Sequence, residues 1–153
     1  MEYGSIEREL HVDASPEVVF DVVSSPAHLR EWWPDDASLD PVPGGTGTLT
    51  FDHGGPEPHV AHVTVVEAEP HRLFSFRWCY DAGVTAAAGN SLLVTFELTP
   101  ADGGTHLRMT ETGFRERGWE IAVLEQQYAE HVQGWGHFLP RLPAYVTRLT
   151  AHA

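Results

Sequence analysis

Lysine is missing from this chain of 153 residues: its nine basic residues are all arginine, set against 22 Asp and Glu for a formal net charge of -13. That absence excludes Schiff-base lysine chemistry, a P-loop lysine and a lysine-anchored cofactor. The shortage of positive charge excludes the basic footprint that nucleic-acid binding needs. Cysteine is almost as scarce. The single Cys79 permits neither an internal disulfide nor a cysteine-based zinc cluster, and points to a reducing compartment. Long apolar runs are lacking too: none approaches the roughly 18 residues of a membrane span. The start, Met1-Glu2-Tyr3-Gly4-Ser5, has neither the basic nor the apolar region of a signal peptide. A cytoplasmic protein without a membrane span is therefore expected.

What is present suits one ordinary domain covering residues 1–153, with 42% hydrophobic and 10% aromatic residues. At this length about 68–70% of the unfolded surface is buried on folding, so no covalent or metal staple is needed. Alternation from Glu7 to Val12 predicts a half-buried strand. Ser15-Pro16-Glu17 reads as a helix start, with an N-cap, a proline at the first helical position and an acid for the dipole. Ser25-Pro26 ends that helix, and a second short one runs toward Trp33 before Pro34. Turn clusters then delimit five further strands, Gly47 to Asp52, His59 to Glu67, Leu73 to Tyr80, Ser91 to Thr99 and Thr105 to Phe114, making six antiparallel strands in all. Phe74, Phe76, Trp78 and Tyr80 share one face, as do Leu92, Val94, Phe96 and Leu98, so one side of the sheet must be covered. Three- and four-residue spacing from about residue 120 to 150 predicts the cover as one long amphipathic helix. Pro140 and Pro143 predict a kink or break in it.

The pieces Ala14-Ser15-Pro16-Glu17-Val18-Val19-Phe20, Leu29 with Trp32-Trp33, Pro43-Gly44-Gly45, the stretch Glu69 to Trp78, Val94-Thr95-Phe96-Glu97-Leu98-Thr99-Pro100, Gly113-Phe114, and Gly134-Trp135 with Phe138-Leu139 and Leu142 run in order over almost the whole chain. In that order and spacing the chain resembles the START-like, or Bet v 1-like, helix-grip superfamily. Within it, the local motifs resemble the family named for the C-terminal domain of the activator of Hsp90 ATPase. The resemblance implies an α+β helix-grip fold: a curved six-stranded antiparallel sheet wrapped around a long C-terminal helix, with two short helices after the first strand. Relatives bind lipids, hormones or polyketides, and some catalyse cyclisation or dehydration, so function has to be argued from the site.

A helix-grip arrangement implies space between sheet and helix. The residues expected to face it are Phe51, Phe76, Trp78, Phe96, Met109, Trp135, Phe138 and Leu139, with Trp33 closing the mouth. Taken singly each fills a core; taken together they read as the wall of a mostly apolar pocket. Two polar residues interrupt the wall. Glu111 shares strand parity with Leu107 and Met109, and His131 lies four positions before Trp135 on one helix face. They either satisfy each other or orient a ligand as an acid/base pair. His53, His59 and His62 are close in sequence, but the odd spacing of the last two sends them to opposite faces of one strand, a poor chelate. No metal and no cofactor are expected, and the glycines from 44 to 47 are a turn, not a dinucleotide motif. Cys79 has the opposite parity to Trp78 and should point away from the cavity. The expected partner is a small apolar or aromatic molecule held in an internal cavity, with a homodimer left open. The alternative is a cyclase, dehydratase or hydrolase using Glu111 and His131. A chaperone regulator is a third reading, and chaperone binding is not expected, because no separate chaperone-binding domain fits within the chain.

Overall fold

The computed structural model describes residues 3–52, 56–80 and 85–151. The first strand, β1 (Ser5–Val12), leads into α1 (Pro16–Ser24) and α2 (Pro26–Trp32). Six strands follow: β2 (Asp36–Leu39), β3 (Thr46–Phe51), β4 (His59–Glu69), β5 (Leu73–Cys79), β6 (Leu92–Ala101) and β7 (Gly104–Thr112). A 3-10 turn (Arg115–Arg117) leads to α3 (Ile121–Phe138) and α4 (Arg141–Ala151). All strands join one antiparallel sheet in the order β1-β7-β6-β5-β4-β3-β2. The α+β helix-grip architecture expected from the sequence is the one observed.

The sheet has seven strands, not six. The additional one, β2, spans four residues and pairs Ala37 with Leu49. So short an edge strand has no periodicity to read; it forms because β3 offers a free edge to a segment delivered by α2.

The single long C-terminal helix is likewise two helices, divided where the prolines required it. α3 ends at Phe138 and α4 begins at Arg141, so Pro140 lies in the junction. Pro143 is the third residue of α4, where an amide has no partner within the helix and its loss costs little. The bend lets Trp135 and Leu142 both reach the core, 3% and 0% exposed.

Local chemistry fastens the helices. The Ser15 side chain accepts from the Val18 amide, and Pro16 opens α1. The Trp32 indole donates to the Val22 carbonyl at 2.9 Å, closing the α1–α2 corner. His28 Nδ1 and the Tyr145 hydroxyl meet at 2.7 Å between α2 and α4, and the Tyr128 hydroxyl donates to the Ser5 carbonyl at 2.7 Å, tying α3 to β1. Gly113, just after β7, has φ of 104°, and a β-carbon there would meet the Ser91 carbonyl at 3.0 Å. Only glycine takes that turn without strain, and it aims the chain from the last strand toward α3.

Candidate functional site

Strand register carries Glu111 into the interior. On β7 it pairs with Ile6 of β1 and Val94 of β6, and it is completely buried. Three donors converge on it. Its Oε2 accepts from the Trp78 indole at 2.8 Å, and its Oε1 accepts from the Trp135 indole at 2.8 Å and from His131 Nδ1 at 2.8 Å. An indole N–H can only donate, so this arrangement requires an acceptor at both oxygens, which an ionised carboxylate supplies. A buried carboxylate needs a compensating partner. His131 is that partner, its side chain 12% exposed.

Burial alone would lower the His131 pKa; the field of Glu111, the hydrogen bond to it and the more distant Glu130 outweigh burial and raise it above the ordinary imidazole value. The ring is also clamped by aromatic edges, with centroids 5.6 Å from Trp78 and 5.4 Å from Phe114. The Tyr80 phenol is pushed up, first by desolvation and then by the negative charges of Glu111 and Glu130, so it remains protonated.

Two hollows flank this cluster. The larger is a cleft of about 690 Å³ bordered by Trp33, Phe51, His59, Trp78, Tyr80, Gln127, Glu130, His131, Gln133, Gly134, Trp135, His137 and Phe138. The smaller, about 200 Å³, shares Trp78, Tyr80, Gln127 and His131 with it and adds Cys79, Leu92, Arg117 and Trp119. The chemistry this geometry offers is an aromatic surface for stacking and one imidazole, braced from behind by a carboxylate, for hydrogen bonding or proton transfer.

Of the residues expected at the site, Trp33, Phe51, Trp78, His131, Trp135 and Phe138 border the cleft. Phe76, Phe96, Met109 and Leu139 do not: they are buried in the core behind it. Glu111 also lies behind the wall and acts on the cleft through His131 and the two indoles. The space between the sheet and the C-terminal helices is filled by rings, and the open volume lies beside α3. Trp33 is not a lid. It is 4% exposed and centres the ring cluster, stacked on Trp32 at 5.6 Å and packed on Trp135 at 5.0 Å, Trp78 at 5.2 Å, Phe76 at 5.8 Å and Phe51 at 5.9 Å. Cys79, expected to face away, contributes to the smaller hollow.

Sequence reasoning reached His131 and Phe138 but missed Gln127, Glu130 and Gly134, which recur with them at three- and four-residue spacing as one stripe of α3. Of the polar members of that pattern only His131 had been followed. His59 and Tyr80 come from strand ends. Among the described residues no three His, Cys, Asp or Glu side chains converge as metal ligands would; His53 lies outside the described residues.

Residues 13–147 match the family model described as activator of Hsp90 ATPase homolog 1-like protein. No protein among the curated ones matches. Several solved structures share the fold. Protein MLL2253 from Mesorhizobium loti is 25% identical with a TM-score of 0.74, the match covering 94% of this chain and 97% of that one. Protein NE0264 from Nitrosomonas europaea is 16% identical with a TM-score of 0.75, covering 99% of each chain. The Aha1 dimer from Colwellia psychrerythraea, a solution structure, is 20% identical with a TM-score of 0.66, covering 91% and 92%.

Proposed function

The chain belongs to the activator of Hsp90 ATPase homolog 1-like protein family, and from that premise we propose that it is a small-molecule-binding protein whose ligand is largely apolar or aromatic. The observation that carries this is the cleft of about 690 Å³, walled on one side by Trp33, Phe51, Trp78, Trp135 and Phe138. That volume falls within the range of ligand pockets, which are typically apolar with a few placed polar groups. Native mass spectrometry of freshly purified protein, with calorimetric titration of 2-ethylnaphthalene, tests it. A co-purifying small molecule or saturable binding is expected, and binding should be lost in Gly134→Leu, where the added side chain enters the cleft from a position with nothing within 4 Å of a β-carbon. Absence of both a co-purifying molecule and saturable binding of an aromatic probe, or binding unchanged in Gly134→Leu, refutes the proposal.

A second reading, that the same cleft hosts acid/base catalysis, is favoured by the 2.8 Å contact between Glu111 and His131 Nδ1. A carboxylate behind an imidazole fixes its tautomer and leaves the other nitrogen to exchange protons with a bound molecule. Turnover of a bound molecule that disappears in a folded His131→Gln variant would support it. The dimer of the Colwellia Aha1 relative further supports self-association, which sedimentation velocity across a concentration series would reveal as a second species.

A further inference from the structure

His131 is fastened by one nitrogen and open at the other. Its Nδ1 is committed to Glu111 at 2.8 Å, and the ring stands edge-on between Trp78 and Phe114, so it cannot turn without breaking the buried pair. What remains exposed of the ring borders both hollows. Among the described residues no protein group is hydrogen-bonded to Nε2. Glu111 is completely buried behind its three donors and lines neither hollow.

We infer that His131 is the polar anchor of the cleft, donating its Nε2–H to the carbonyl oxygen of an uncharged aromatic ketone whose rings lie against Trp78, Trp135 and Phe138. This rests on the cleft being a ligand site, as proposed above. Electrostatics selects the class. The imidazolium charge is already balanced by Glu111, Glu130 lines the same cleft, and the chain carries -13 overall. A carboxylate ligand would therefore enter an unfavourable field. A pure hydrocarbon would strip water from the Nε2–H and replace it with nothing. A neutral carbonyl avoids both costs.

The donor state is conditional. Glu111 and Glu130 keep the imidazole protonated above its ordinary range against the opposing effect of burial. On deprotonation the Nδ1–H stays with Glu111, and Nε2 turns a lone pair toward the carbonyl oxygen. The other titratable or charged groups near the ring are Tyr80, Cys79 and Arg117, and His59 and His137 sit elsewhere along the cleft.

The experiment is isothermal titration calorimetry of the full chain with 2-acetylnaphthalene, 2-ethylnaphthalene and 2-naphthoate, at about pH 6 and at a pH above the His131 titration as NMR locates it. The wild type should prefer the ketone over the hydrocarbon by roughly tenfold at the lower pH, the order expected of a hydrogen bond from a charged donor. That preference should collapse at the higher pH and be absent at both in His131→Gln. His11→Gln and His106→Gln, whose rings pair with Asp13 and Glu9 away from both hollows, should retain the wild-type profile. Equal affinity for ketone and hydrocarbon at the lower pH, a preference that survives in His131→Gln, or tighter binding of naphthoate than of ketone would overturn the inference. If His131→Gln fails to fold, the wild-type ratio decides, and a preference constant across the pH range refutes it. If neither naphthalene binds the wild type, this inference falls, and the ligand-site reading falls with it where no molecule co-purifies; if both bind alike, only this inference falls.

Discussion

Glu111 concentrates more consequence than any other side chain. Replacing it with Gln keeps its volume but puts an NH2 group where an oxygen had accepted, facing donors that have no other partner. Glu111→Gln should therefore destabilise the protein by about 1–3 kcal/mol through unsatisfied buried donors, and lower the His131 pKa by removing its counter-charge. Urea denaturation and NMR titration of the imidazole check both effects. The sign of the wild-type pH dependence follows from the raised value of His131. A group held above its unfolded pKa contributes its stability in full below about pH 6.5 and loses it as pH rises through the folded value. The stability difference between wild type and His131→Gln should therefore shrink between neutral and alkaline pH; a difference that grows would contradict the pairing. This pair was legible because two periodicities, two for β7 and 3.6 for α3, each aim one polar residue inward. Strand and helix periods say which way a side chain points, not which others it meets. That is why Phe76, Phe96 and Met109, correctly placed inward, end in the core instead of at the cleft, and why Trp33, beyond the last helical residue of α2, had no period to place it.

Among the elements, α3 is built for two tasks, with Trp135 turned into the core and its polar stripe turned to the cleft. Gly134 sits in that stripe at a cost, since glycine inside a helix gives up backbone entropy. A β-carbon there meets nothing within 4 Å, so Gly134→Ala should stabilise the protein by about 0.4–1 kcal/mol, read as a raised urea midpoint at an unchanged slope. A loss of stability would mean that the cleft wall closes more tightly around this helix in solution. The division between α3 and α4 was legible because a proline's missing donor acts locally, whatever the tertiary fold. β2 was not, because four residues carry no pattern of their own and the strand is made by its neighbour β3.

For the molecule as a whole, the charge balance of -13 with ten histidines means that self-repulsion grows as those histidines lose protons. Adding moderate salt should raise the urea midpoint more at about pH 8 than at about pH 6, because screening relieves repulsion between exposed charges; an equal rise at both would count against net charge as the cause. The interior has an optical consequence as well. Trp32, Trp33, Trp78 and Trp135 form a chain of ring contacts, with centroid separations of 5.6, 5.2 and 5.0 Å measured from Trp33, and only Trp119 stands apart, under the Arg117 guanidinium. Indoles this close share excitation, so the near-ultraviolet circular dichroism of the folded protein should carry a coupled signature that no sum of isolated tryptophans reproduces. Excitation shared among these four indoles includes Trp78, which packs T-shaped against the His131 ring. A protonated imidazole quenches indole emission, so the intrinsic fluorescence of the native protein should brighten as His131 deprotonates.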